Sequence, residues 1–559
     1  MGKVWNHEIK EAVEILEPMI QEDYRAAYGY AAIKVAKGNV TSDLTSRQDA
    51  VDTLDVALSV MDRLNTGDQL LRIAKRVIEL NEKERIANPG ESERIELTTL
   101  KESQLINNFK LDLEAARAEA LLNKGINLFH TGAHVNGAYQ LRKSWKRYES
   151  LYKECQKRKG LERHNEQFLH PDLVNVINYG VGTFLFLVGF LPSAITTVLS
   201  WIGFKADREL GLSLLQETCE QSLLAGPAAS TILSINYLFI PRAFSKRGEG
   251  LKNFEPIMHS ILKQFPSGSI FLLMAAHYYR KSGDIETSVT VLERAIESAR
   301  NAFDVMPSMY MFELSQSLII IENYKRAAEL LEKICLDENN KNFDLRGVAA
   351  LELAVCNLYL DNKPRALELA KQLDQYVNKK SRNDKYAATK NDNIHRIITR
   401  HGSNSQQADE EILILLRASH YELLYLRRDI ANLSASRAQT MLNSFKSHVT
   451  QMPNDNPDLV AACTVIEACL LYQIDSNDDR IEPMLKKVLT LKVQHDVQWL
   501  ACSRYELAEV MYNQEHTQEK LIKIRQLLQE AERYKGYWME EITKNRIKMA
   551  LTQVNTLIK

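Results

Sequence analysis

A chain of 559 residues, 45% hydrophobic and 26% charged, is too long for one core and ordinary for a globular protein, so several domains or a solenoid are expected. Its net charge of -1 excludes a global field that would draw in nucleic acid or an anionic membrane, and any such binding needs a local patch. The cysteine count is 7, with no CxxC pair, which argues against a disulfide framework and for a reducing compartment.

The first residues, Met-Gly-Lys-Val-Trp-Asn, hold no apolar signal core, and Asn6 stands where a myristoylation signal wants Ser or Thr. The last residues are no lipidation box, so a cytoplasmic protein is expected. Residues 1–170 read as an N-terminal helical region. In residues 50–64, Val51, Leu54, Val56, Ala57, Leu58, Val60, Met61 and Leu64 form one apolar face. Residues 111–128 repeat the pattern with Leu113, Ala116, Ala120, Leu121 and Leu128. His130 and His134 have a metal-like spacing, but Thr131-Gly132 lies between them and no third ligand follows, so a loop pair without metal is expected. Next comes a basic stretch, with Arg142, Lys143, Lys146, Arg147, Lys153, Lys157, Arg158, Lys159 and Arg163 against Glu149, Glu154 and Glu162. It reads as a solvated helix face, or alternatively as a lipid contact beside an apolar helix.

Residues 171–265 hold the apolar hairpin and the helices after it. The run 173–204 contains no charged residue and is long enough to span a bilayer. Pro192 divides it, Gly180, Gly182 and Gly189 permit close backbone contact, and Asn175, Asn178, Thr196 and Ser200 dilute it. Two helices joined at Pro192 and buried in a solenoid are therefore expected in preference to a membrane anchor. Gly180-Val-Gly182 lacks the third glycine and preceding strand of a phosphate loop, and helix packing is its expected role. Asp207, ahead of Arg208-Glu209, is placed to cap a helix.

Residues 266–377 carry a repeat. Residues 269–296 read as two helices broken at Lys281-Ser-Gly-Asp, with small Ala276, Ser288 and Ala295 where paired helices approach and Leu272, Tyr279 and Leu292 between them. Residues 307–334 and 347–373 repeat this arrangement, and Ser288, Ala327 and Ala366 recur at one interval, longer than the roughly 34 residues of a consensus tetratricopeptide unit. Residues 378–408 are polar and read as a linker or mobile loop around a short helix. Residues 409–559 return to helical pairs, with Cys502, Leu507, Ala508 and Leu528 in packing roles. The fold class expected is all-α: a tetratricopeptide-like helix-pair superhelix, or α-solenoid, with a buried apolar hairpin.

The hairpin motifs Asn178-Tyr-Gly-Val-Gly182, Leu191-Pro192, Ile202-Gly-Phe-Lys-Ala-Asp-Arg208 and Gly211-Leu-Ser-Leu-Leu215 resemble the tetratricopeptide repeat protein 39 family. So do Gly137-Ala-Tyr-Gln-Leu-Arg-Lys-Ser-Trp-Lys-Arg-Tyr-Glu-Ser-Leu-Tyr152 and the segment from Gly536-Tyr537 through Asn545 to Leu551. The family also includes a fungal outer-mitochondrial-membrane protein of inclusion-body clearance, and its C paralogue looks nearest. Ala206 stands where the family usually has Gly. The resemblance implies a non-enzymatic helical scaffold, with roles in cilium assembly, lipid homeostasis or inclusion-body handling. It implies no residue-level binding site.

No Gly-x-Ser-x-Gly, HExxH or Walker lysine is present, so no catalysis, cofactor or metal is expected. In a tetratricopeptide unit the first helix of each pair lines the concave face, which places His277, Arg280, Lys281, Phe312, Gln316 and Tyr359 in a candidate protein-binding groove. The groove lacks the Lys, Asn and Arg pattern of a carboxylate clamp. Its apolar positions suit either a partner helix or, more often, a cover formed by the protein's own helices, for which the hairpin is a candidate. Protein partners, no nucleic acid and no favoured membrane contact complete the expectation.

Overall fold

The computed structural model describes residues 2–87, 97–188, 207–222, 225–240, 244, 249–337, 341, 343–379, 381, 383–403, 405–449, 456–514, 516–538 and 540–558. These residues form helices and no strand, as expected. Two units emerge: Met1–Asn236 with Pro256–Met274 and Arg294–Met309, and Tyr237–Glu255 with Ala275–Glu293 and Tyr310–Lys559.

In the first unit, helices of eight residues or more are α1 (Ile9–Leu16), α2 (Tyr24–Thr41), α3 (Leu44–Arg63), α4 (Gly67–Ala87), α5 (Glu102–His130), α6 (His134–Arg158), α7 (Pro171–Val188), α8 (Arg208–Gln221) and α9 (Gly226–Ser234). Asp23, Asp43 and Asp207 cap α2, α3 and α8 by accepting hydrogen bonds from first-turn amides, as anticipated for Asp207. One core joins α2, α3, α4 and α5 through Tyr24, Leu54, Met61, Leu70 and Leu113. Val56, placed on the apolar face of α3 by periodicity, is instead 48% exposed, because it lies off the stripe of Val51, Leu54, Ala57, Val60 and Met61. The buried Asp112 carboxylate accepts from Tyr24 Oη at 2.5 Å and from the guanidinium of Arg25, so a charge inside the unit is matched at once.

The first arm of the apolar hairpin is α7. Ile177, Val181, Phe184 and Leu185 are buried against Leu141, Tyr148 and Leu151 of α6 and Leu214 of α8, and Trp145 stacks on Phe184 at 4.9 Å. Residues 189–204, the expected second arm, lie outside the described residues. The glycines act as the sequence suggests. A Cβ on Gly180 would stand 2.0 Å from the Tyr148 ring, and one on Gly182 2.9 Å from the Gly211 carbonyl of α8. At these two positions α7 comes close enough to its neighbours that no side chain fits, while its apolar side chains pack on either side.

Later in the chain come α10 (Glu249–Gln264), α11 (Ser269–Ser282), α12 (Ile285–Phe303) and α13 (Ser308–Ile320), whose residues are shared between the units. The second unit continues with α14 (Tyr324–Leu336), α15 (Arg346–Tyr359), α16 (Lys363–Lys371), α17 (Lys385–His401), α18 (Gln406–Leu426), α19 (Ala435–Val449), α20 (Pro457–Ile474), α21 (Ile481–Val488), α22 (Gln498–Tyr512), α23 (Gln518–Glu532) and α24 (Glu540–Leu557). Ser288, Ala327 and Ala366 are fully buried, as the repeat requires. The same interval governs the turns. Gly283, Glu322 and Asp361 take positive φ of 90°, 60° and 59°, and Asp284, Asn323 and Asn362 follow as side-chain caps of the second helices. A left-handed residue followed by a cap is the device that reverses each helix pair.

Residues 378–408, expected as a linker or mobile loop around a short helix, carry the 17-residue α17, which buries Tyr386, Ala387, Ile394 and Ile397. Its polar residues misled because several are internal: Lys390 pairs with Glu422 at 2.7 Å, both almost fully buried. Asp384 accepts from the Gly347, Val348 and Asn378 amides and ties this segment to α15.

Gly182→Ala and Gly180→Ala are each expected to lower unfolding free energy by about 1–3 kcal/mol through overpacking, measured as a shift of the urea midpoint. Tyr148→Leu in the Gly180→Ala background should recover part of that loss. An unchanged midpoint in both single variants would contradict the close crossing.

Candidate functional site

The inner-face positions of the central repeats are where a partner groove is expected. His277 (6% exposed), Phe312 and Gln316 (1% exposed) are buried, and Arg280, Lys281 and Tyr359 are half-buried. All six lie in the second unit.

Arg280 Nη2 donates to Glu313 Oε2 at 2.6 Å and approaches His277 Nδ1 at 3.0 Å. Burial pushes the His277 imidazole down to about 3, opposed by Glu313 and assisted by Arg280 and Lys281. Burial alone would raise the Glu313 carboxyl, but Arg280 and His277 beside it hold it at about 2. Lys281 falls to about 8, mainly by burial and then by the Arg280 charge. Phe239 closes over this group: its ring lies 4.7 Å from that of His277 and under the Lys281 ammonium.

One repeat on, Gln316 Nε2 donates to Glu352 Oε2 at 2.5 Å, and Nη1 of Arg427, the residue capping the C-terminal end of α18, donates to Glu352 Oε1 at 2.6 Å. Phe312 meets the buried Phe343. Tyr359 packs among Tyr324, His420 and His448, with ring centroids at 4.8, 5.1 and 4.6 Å. The side chains meeting the six predicted residues therefore come from the second unit itself, chiefly α13, α14, α18, α19 and Phe239. Further ties reach back from α19: Arg437 pairs with Glu286, and Ser444 Oγ donates to Glu322 at 2.8 Å. The structure gathers the predicted residues into internal networks, and the covering of the groove by the protein's own helices is the arrangement seen.

A small pocket of the second unit, about 30 Å³, is lined by Tyr425, Arg428, Cys469, Glu506 and Glu509 and has room for little more than a water. The thiols of Cys335 and Cys356 are buried, and burial raises their pKa, so these cysteines are poor nucleophiles. His130 ends α5 and His134 begins α6, both exposed.

The larger opening lies in the first unit. A cleft of about 850 Å³ runs between α3, α5 and α6. From α5 it takes a stripe at helical spacing, Asn107, Lys110, Leu111, Glu114, Arg117, Leu121 and Lys124. From α6 it takes Lys143, Lys146, Arg147 and Arg158, which places much of the predicted basic stretch on a concave wall. The sequence signal was this one-sided charge. Which helix it would face was not legible.

The groups around Arg280 fix an acid response. Folded His277, and His420 (also pushed by burial to about 3), stay neutral where the unfolded imidazoles, near 6.5, bind protons. Below about pH 6.5 the unfolded state therefore binds more protons and stability falls. Glu313 adds a further loss as pH drops through the unfolded carboxyl range toward 2. The unfolding free energy should fall steadily from pH 7 to pH 5, by on the order of 1–2 kcal/mol per buried histidine and read as a falling thermal midpoint, and His277→Gln with His420→Gln should flatten the slope. Arg280→Ala should cost about 3–5 kcal/mol by leaving Glu313 buried and unpaired, while Arg280→Met/Glu313→Leu recovers most of it in urea unfolding.

Solved structures similar to the chain include the human IFIT1 dimer with PPP-AAAA, 12% identical over 86% of this chain and 94% of that chain, TM-score 0.33. The P58(IPK) TPR domain is 11% identical over 62% of this chain and 93% of that one, TM-score 0.20. The APC/C hetero-tetramer Cut9–Hcn1 is 11% identical over 100% and 96%, TM-score 0.24. A family profile described as Iml2/Tetratricopeptide repeat protein 39 matches residues 1–471. With most of its length matched, the chain belongs to the Iml2/tetratricopeptide repeat protein 39 family.

Proposed function

We propose that this chain is a non-catalytic, cytoplasmic adaptor that joins protein partners through its first unit. Its membership of a tetratricopeptide-repeat family supports a protein-interaction scaffold. The observation that carries the finer reading is the contrast between two concave surfaces. Inner positions of the central repeats are occupied by internal pairs such as Arg280–Glu313 and Glu352–Arg427, whereas the cleft between α3, α5 and α6 is open. Repeat proteins bind partners on extended concave faces, so the open face is the better candidate. By family resemblance, the process served is cilium assembly, lipid homeostasis or inclusion-body handling.

The alternative, anchorage of residues 173–204 in the outer mitochondrial membrane or a lipid droplet, has one observation in its favour: the lack of charge. Against it stands the burial of Ile177, Val181 and Phe184 among α6 and α8. Helix α20 is also long and apolar enough to cross a membrane, at mean hydropathy 1.4 over 18 residues, yet Ala461, Val465 and Leu470 are buried in the second unit.

Cross-linking of the full chain in cells is expected to recover protein partners joined at α5 and α6. Recovery of no protein above a control would overturn the adaptor reading. Carbonate extraction should leave the chain in the supernatant, and retention in the pellet would favour the anchor.

A further inference from the structure

The cleft of the first unit has an uneven charge account. Its walls present Lys110, Arg117, Lys124, Lys143, Lys146, Arg147 and Arg158 against the carboxylates of Asp55, Asp62, Glu114 and Glu154. Each of those carboxylates is already engaged. Lys124 pairs with Asp55, Arg117 with Asp62 at 2.8 Å, Arg147 with Glu114, and Arg158 with Glu154 at 2.6 Å. Lys110, Lys143 and Lys146 are exposed and form no ion pair among the described residues. Beneath the wall, Arg117 is only 8% exposed and its Nε has no hydrogen-bond partner, and neither has the buried Nδ2 of Asn107, about 15 Å away along α5. Leaving such donors unpaired inside a protein costs roughly 1–3 kcal/mol each, so the wall beneath the cleft is not packed for stability alone.

The floor is different in character. Leu58 and Leu111 are partly exposed between the charged rows. The wall residues on α5 run from Asn107 to Lys124 at three- and four-residue steps, about 26 Å at the helical rise. An apolar floor between basic rows of that length matches a helix of similar length with leucines on one face and carboxylates beside them. A lipid headgroup layer is flat and would not enter a concave wall. A nucleic-acid strand would gain little from the leucine floor, since strand-binding grooves rely on aromatic stacking.

We propose that the cleft between α3, α5 and α6 binds an acidic amphipathic helix of a partner protein, with Lys110, Lys143 and Lys146 pairing its carboxylates and Leu58 and Leu111 receiving its apolar face. The inference rests on the adaptor reading and names the chemistry of its partner.

The test uses the full chain and a fluorescein-labelled peptide of about 17 residues with glutamates and leucines on adjoining helical faces, read by anisotropy. Binding is expected, weakening as salt rises from about 50 to 300 mM. Lys143→Glu/Lys146→Glu, and independently Lys110→Glu, should each weaken it about tenfold or more, while Lys10→Glu/Lys263→Glu, exposed on α1 and α10 outside the cleft, leaves it within about twofold. All five substituted positions are at the surface, and thermal midpoints check that the variants fold. Absence of peptide binding, equal weakening by the control variant, or tighter binding of a phosphatidylserine vesicle or a single-stranded RNA oligonucleotide would each overturn the proposal. If the peptide fails but cross-linking still recovers proteins equally with wild type and Lys143→Glu/Lys146→Glu, the adaptor reading survives and the cleft assignment falls. If cross-linking recovers no protein, the adaptor reading falls with it.

Discussion

A single carboxylate, that of Glu352, decides how the second unit uses its concave face. Glu352 sits on the first helix of a repeat, where an open solenoid would show it to solvent or to a ligand. Here it is buried, with one oxygen held by Gln316 from the preceding repeat and the other by Arg427 at the C-terminal cap of α18. A buried charge is tolerable only when its lone pairs are met, and once they are met by protein the site is closed to anything else. The Arg280–Glu313 pair repeats the logic one helix pair earlier, and the aromatic packing around Tyr359 closes the far end of the same helix. The concave side has become core.

Much of the scaffold was legible beforehand. Small residues at Ser288, Ala327 and Ala366 recur at one interval because two helices cannot approach closely with larger side chains there. The glycines of α7 announced backbone contacts for the same reason. The reversal device between paired helices was equally present in the sequence, in Gly283-Asp284, Glu322-Asn323 and Asp361-Asn362. It escapes notice because only the first of the three left-handed positions is a glycine. Val56 and α17 show the limits. A generous apolar face overreached by one residue, and a polar segment turned out to be a helix whose lysine has a buried partner.

The candidate site was legible only in part. Charge periodicity on α6 gave a basic face without saying what it faces. Helical position gave the inner-face residues of the central repeats without saying what covers them. In both cases the missing information is a pairing between residues far apart in sequence: Glu352 with Arg427, Arg147 with Glu114. A local pattern records that a side chain is charged. Whether that charge is spent inside the protein depends on helices that the pattern does not see. That is why the more conspicuous groove proved to be occupied and the less conspicuous one open.

An array of repeats that touch only their immediate neighbours melts from its ends, one block after another. The second unit has lost that freedom. Arg437 reaching Glu286, and Ser444 reaching Glu322, bind blocks that are not consecutive. Fraying at one block would break contacts in blocks remote along the chain, so the unit should behave as one cooperative foldon, intolerant of having a repeat excised or duplicated.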